Sequence, residues 1–232
     1  MNKFVNSELW LYNRRMLTGP DTKVLAQDDN NNVFFGVNYA SADYLGLAQN
    51  TEAKGGAIEA AKEFGMSSGG TPSAMGAHRL YQQLQKELSE YWETNVLIYP
   101  TGWMAGFGAI KGLIREGDFI IMDQISHNCL QEGAFAATKN VRRFEHLNQE
   151  AMEQMVRETR QQNPDSAILV ITEGLFSMDA DSPDVNFYQQ VTKKHGAFLL
   201  LDCAHDFGHL GHWGKGKTNL IQAFGKSKMS KT

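Results

Sequence analysis

The stretches ILVITEGLFSMDADSP (168–183) and FLLLDCAHDFGHLG (198–211) decide the reading of this chain. Residues 168–172 and 198–201 are near-continuous apolar runs of strand length, the pattern of parallel strands covered on both faces rather than half-exposed ones. Each run ends in a carboxylate, Glu173 or Asp202, with small and polar residues after it. Open α/β sheets present reactive side chains at such strand ends. A carboxylate buried there takes up a proton unless a cation or a hydrogen-bond donor meets it. Asp202 also has a plainer reading, as a residue that caps the turn after its strand.

Outward from these runs, strand-like and helix-like segments alternate. Strands are expected at 95–99, 118–122, 141–144, 167–172 and 197–201, and helices at 102–114, 127–138, 148–161 and 184–195. The pattern predicts an α/β fold of three layers, α/β/α, with a mostly parallel sheet and right-handed crossovers. Upstream, 76–93 predicts an amphipathic helix with Leu80, Leu84, Leu88 and Tyr91 on one face. GMSSGG and the glycines up to Gly76 mark a loop, VFFGVNYA is strand-like and DDNNNV is a turn signal. These features suggest an N-terminal arm over 1–50 and one large domain over 51–232.

Composition bounds the function. The net charge of −4 and a charged fraction of 21% give no basic surface for nucleic acid. No apolar run reaches the roughly eighteen residues of a membrane span, and MNKFVNSELWLYNRR lacks a signal-peptide core, so a cytoplasmic setting is expected. The two cysteines, Cys129 and Cys203, show no framework spacing and read as free thiols.

Four segments in order carry a resemblance. TEGLFSMDADSP with LDCAHDFGHLG, NYASADYLGL (38–47), YPTGWMAGFGAI (99–110) and ISHNCLQEGA (125–134) resemble the α-oxoamine synthase family of pyridoxal phosphate (PLP) enzymes. That family joins an amino acid to an acyl-CoA with loss of carbon dioxide, on the large domain of a fold-type-I PLP-dependent transferase, as a homodimer. The resemblance implies that Asp202 meets the pyridine nitrogen, that His205 and Ser177 lie at the ring's polar edge, and that His127 stacks on the ring as a catalytic residue. Gly102 and Trp103 fall where the family opens a helix whose free N–H groups and dipole favour the phosphate. Glu173, Thr101 and Ser126 are second-rank candidates. His127 has a plainer reading too, as the N-cap of helix 128–137.

The chain also departs from the family. Ala42 and Gly106 replace asparagines, and Asp206 and Phe207 replace a smaller pair, which predicts bulkier surroundings for the ring. The family's Ser/Thr-Phe-x-Lys lysine follows a further strand. Here IQAFGKSKMSKT offers only Lys226 as an echo, with Lys228 and Lys231 reading as solvated tail residues. The expectation is a large domain incomplete at its C-terminus, with impaired turnover, or a non-catalytic or complementing partner subunit. A third reading takes His205, His209 and His212 with Asp202 or Asp206 as zinc ligands of a hydrolase. The glycines at 208, 211 and 214 argue against the helix that this needs.

Overall fold

A computed structural model of the chain describes residues 14–216. The described residues fall into two compact units that divide between Gln83 and Leu84.

The first unit holds an antiparallel meander of β1 (Arg15–Met16), β2 (Lys23–Gln27) and β3 (Val33–Val37). The turn between β2 and β3 forms because Asp28 Oδ1 accepts from the N–H groups of both Asn30 and Asn32 at 2.9 Å. Helix α1 (Thr51–Phe64) follows, capped by Asn50, whose side chain accepts from Ala53 N–H. Neither β2 nor α1 was foreseen; α1 carries two adjacent glycines and buries no residue, so its apolar stripe is weak. Helix α2 (Arg79–Trp92) contains the boundary between the units.

The second unit is the expected α/β layer structure. Its elements are α3 (Gly102–Leu113), β4 (Phe119–Asp123), α4 (Asn128–Ala137), β5 (Val141–Phe144), α5 (Gln149–Gln162), β6 (Ile168–Glu173), α6 (Val185–Lys194) and β7 (Phe198–Asp202). The sheet order is β5-β4-β6-β7, all parallel. Alternate residues of each strand face opposite layers. Ile120 and Met122 of β4 and Leu169 and Ile171 of β6 pack against Ile110 of α3 and Leu130 and Ala134 of α4. Ile121, Ile168 and Val170 face the other way, against Met152 and Val156 of α5 and Tyr188 and Val191 of α6. Every residue of β6 is buried, as its unbroken apolar run requires. Each such large side chain contributes about 1.5–3 kcal/mol through removal from water.

Strand 95–99 does not form; these residues are extended chain with no ladder, and Val96 O accepts instead from Gln85 Nε2 at 2.6 Å. NVLIYP has a strand's composition, but a strand exists only where another supplies its hydrogen bonds, and among the described residues none pairs with it.

Chain direction positions the site. From β4 the chain steps to β5 on one side, then passes over β4 to β6 and on to β7, with α4 on one face and α5 and α6 on the other. The loops leaving β4 and β6 therefore part to opposite faces at adjacent strand ends, which opens a crevice at their carboxyl ends.

Candidate functional site

A cavity of about 410 Å³ lies at that crevice. Leu200, Leu201, Ala105, Ala109 and Leu130 give it an apolar floor, while Glu173, Asp202, His127 and His205 bring polar groups to its walls. Gly102 and Trp103 lie on it at the start of α3. Five of the six principal residues expected from the sequence thus converge, together with the second-rank candidate Glu173.

Ser177 is the exception. It is exposed in the turn after β6 and does not line the cavity, because Phe176 turns inward and is buried, leaving its neighbour facing out. Thr101 does not line it either, and serves as the N-cap of α3 by accepting from Met104 N–H at 3.2 Å. Ser126 is buried and does not line it, its Oγ without a hydrogen-bond partner. Asp206 and Phe207, expected to crowd a ring, do not line it. The fully buried Asp206 carboxylate is cradled by two glycines: a Cβ on Gly174 would come within 2.4 Å of its Oδ2, and one on Gly216 within 2.8 Å. Phe207 packs against Trp92, their ring centroids 5.3 Å apart. The zinc reading fails on geometry, since 205–211 is a series of turns and not a helix. Among the described residues no three His, Cys, Asp or Glu side chains gather to hold a metal ion. Lys226, Lys228 and Lys231 lie outside the described residues.

Glu173 and Asp202 are register partners at the ends of β6 and β7. Asp202 is half-buried and its Oδ1 accepts from Ala204 N–H at 3.0 Å, so the turn-capping reading is realised alongside the pocket position. Glu173 is 3% exposed, and its Oε1 accepts from the main-chain N–H of His127 at 2.6 Å. Burial pushes its carboxyl up to about 7; the bond from His127 opposes this, and the carboxylates of Asp202 and Asp123 add to it. Glu173 is therefore able to hold a proton in the neutral range, where an ordinary carboxyl would have lost it.

His127 is the N-cap of α4. Its Nδ1 accepts from Cys129 N–H at 3.3 Å and lies 3.0 Å from Cys129 Sγ. A main-chain N–H can only donate, so Nδ1 is an acceptor and the proton of the neutral ring sits on Nε2. Burial, then the charge of Asp202, holds the Cys129 thiol above its ordinary range, so it stays protonated and adds a weak donor to the same nitrogen. The lone pair that a general base would need is thus occupied, and what the ring offers is an N–H and a flat face. The Trp103 indole meets that ring edge to face, centroids 5.6 Å apart.

The pocket floor is also a helix crossing. A Cβ on Gly106 of α3 would lie 2.8 Å from Cys129 Sγ and 3.2 Å from Leu130 Cδ2, and one on Gly133 of α4 would lie 3.0 Å from Phe107 Cα. Cys129, Cys203 and the small residues of α3 were not singled out as lining residues; only their proximity in the chain to His127, Asp202 and Gly102 respectively pointed to them.

Residues 36–227 match the family model described as aminotransferase class I and II. The chain is 34% identical over 208 residues to 8-amino-7-oxononanoate synthase of Hydrogenovibrio crunogenus, covering 89% of this chain and 51% of that protein. It is 33% identical over 179 residues to the same-named enzyme of Saccharophagus degradans, covering 77% and 44%. In structure it resembles serine palmitoyltransferase of S. paucimobilis, solved with a bound PLP–myriocin aldimine, at a TM-score of 0.88 and 24% identity over 97% of this chain and 55% of that one. The chain spans about half the length of the curated relatives it matches.

Proposed function

The chain belongs to the aminotransferase class I and II family, and from that footing we propose that its cavity binds PLP, as the cofactor site of an α-oxoamine synthase-type acyltransferase. The observation that carries the reading is the placement of a carboxylate, two imidazoles and a helix start around one apolar cavity at adjacent parallel strand ends. A planar, cationic heteroaromatic with a phosphate arm calls for this donor set. Asp202 would hold the proton on the ring nitrogen by a charge-assisted hydrogen bond. His127 and Trp103 would offer aromatic faces, and His205 a polar edge. The N–H groups of Gly102 and Trp103 precede the first intrahelical bond of α3, so they are free for the phosphate.

Bound there, PLP supplies an electron sink for breaking bonds at an amino acid's α-carbon. The chain's own residues supply position and protons. His127, with Nδ1 engaged in its cap, would orient a substrate by donating from Nε2 rather than by taking a proton. Glu173, poised near neutrality, would hold or release one proton beside Asp202 as charge in the pocket changes. An amino acid and an acyl-CoA as substrates, a homodimer as assembly and a cytoplasmic setting belong to the same reading, and the resemblance supports them.

Equilibrium titration of the chain with PLP, followed by the cofactor's absorption, tests the reading. Saturable binding is expected, weakened about ten- to a hundredfold in Asp202→Asn, the equivalent of the 1.5–3 kcal/mol typical of a hydrogen bond to a charged group. Absence of saturable binding, or equal affinity in the variant, overturns it.

A further inference from the structure

His146 lies outside the cavity, where three segments at the carboxyl edge of the sheet meet, and both of its nitrogens touch carboxylates. Nδ1 is 3.0 Å from each oxygen of Asp123, and Nε2 is 3.1 and 3.0 Å from those of Asp181. Asp123 ends β4 and is fully buried; Asp181 belongs to the loop between β6 and α6. A neutral imidazole has one N–H and can serve one carboxylate, whereas the imidazolium donates to both. A buried Asp123 without a cation would be costly, and His146 is the cation in reach. The ring's orientation is fixed from a third side by the buried Phe176, edge to face at 4.5 Å. The titratable groups around it are Asp123 of β4, Asp181 of the β6–α6 loop, Glu173 of β6 and, against Asp123, the buried Tyr188 of α6.

The backbone on either side of this bridge is held in the left-handed region. Leu147, directly after His146, has φ 56°, and Ala180, directly before Asp181, has φ 55°. Neither is glycine, so each conformation costs free energy and persists because its surroundings over-determine it. Leu147 N–H donates to Asp123 Oδ2 at 2.9 Å, and Phe176 N–H donates to Asp181 O at 2.9 Å. The same Asp123 starts the loop that carries His127, its Oδ1 accepting from Ile125 N–H at 3.0 Å. The bond from His127 N–H to Glu173 ties the same β4–α4 loop to the end of β6, from which the loop carrying Asp181 departs.

We propose that His146 is a positioning residue: as an imidazolium linking Asp123 to Asp181, it locks the β4–α4 and β6–α6 loops together and so holds His127 and Glu173 at the cavity wall. Its consequence for cofactor binding rests on the PLP reading; the bridge and its hold on His127 do not. Burial works against the charge, but the bonds to Asp181 and Asp123 outweigh it and hold His146 above the ordinary 6.5. The lock is therefore complete below pH 6.5 and is lost as pH rises through the folded-state value.

The test is NMR of the full described fold in the intact chain, wild type, Asp181→Asn and His146→Gln. In the wild type, His146 is expected to titrate above 6.5 with both ring protons present at neutral pH. Asp181→Asn should bring that titration down and move the main-chain resonance of His127, and His146→Gln should move the same resonance in an otherwise native spectrum. PLP affinity should fall severalfold in both variants, most at the pH where the wild-type ring is still charged. Titration of wild-type His146 at or below 6.5, or a His127 resonance indifferent to both variants, overturns the lock. Unchanged PLP affinity in the variants, beside a wild type that binds PLP, overturns its role at the site; a wild type that binds no PLP refutes the cofactor reading and leaves the His127 resonance to decide the lock.

Discussion

Glu173→Gln isolates the energetic strain built into the cavity. The wild-type carboxyl moves from an ordinary 4.5 to about 7 on folding because it is buried beside other carboxylates. At 1.36 kcal/mol for each pH unit, that corresponds to roughly 3 kcal/mol lost when the group is forced to ionise inside the fold. Below pH 4.5 folded and unfolded chains both carry the proton and nothing is lost. Between 4.5 and about 7 the unfolded chain releases its proton while the folded chain keeps it, so stability falls with rising pH; above 7 the full cost is present. Glutamine keeps an oxygen to accept from His127 N–H and never ionises. The variant should therefore gain on the wild type by roughly 3 kcal/mol between acid pH and pH 8, with most of that gain appearing above pH 5. Urea unfolding of the PLP-free chain followed by tryptophan fluorescence, at pH 5 and at pH 8, measures it. The pH-dependent difference is the quantity that matters, since a new buried amide shifts both values together. A gap between variant and wild type that is the same at both pH values would show that Glu173 ionises freely in the fold, and the account of the cavity as a proton-holding site would fall with it.

Two further perturbations probe the frame. Gly133→Ala places a Cβ 3.0 Å from Phe107 Cα, which is backbone and cannot swing aside, so α3 and α4 must separate; a loss of about 1–3 kcal/mol in thermal unfolding is expected, and a neutral effect would mean that the crossing is loose. Arg160→Ala removes a guanidinium that donates to the carbonyls of Pro164, Ser166, His195 and Gly196, tying the exits of α5 and α6 together; a loss of about 2–4 kcal/mol is expected in chemical unfolding.

Local pattern carried the second unit far. The runs at 168–172 and 198–201 lie within one residue of β6 and β7, because a strand covered on both faces has to be apolar at successive positions, and that is visible without knowing its neighbours. His127 caps α4 and also lines the cavity, and Asp202 caps the turn after β7 and lines it too. What local pattern could not show was partnership. NVLIYP looks like β4 in composition and differs only in having no ladder. His146 looks like any polar residue after a strand; its partners are 23 and 35 positions away, and only the folded sheet brings them together. Ser177 was misplaced for a related reason, since which of two adjacent loop residues turns inward is decided by the space waiting for Phe176.

The sharing of residues between the cavity floor and the α3–α4 crossing sets how this protein could diverge. Gly106, Cys129 and Leu130 line the pocket and also set how closely two helices approach. A change of shape at the ligand cannot be made there without a change in helix spacing, so new ligand preference and loss of stability would arrive in the same mutation. Variation free of that coupling is available at Cys203, Ala204 and His205, which line the cavity from the segment after β7. A library randomised at those positions should yield folded variants with altered ligands, while one randomised at the floor should yield chiefly chains that fail to fold.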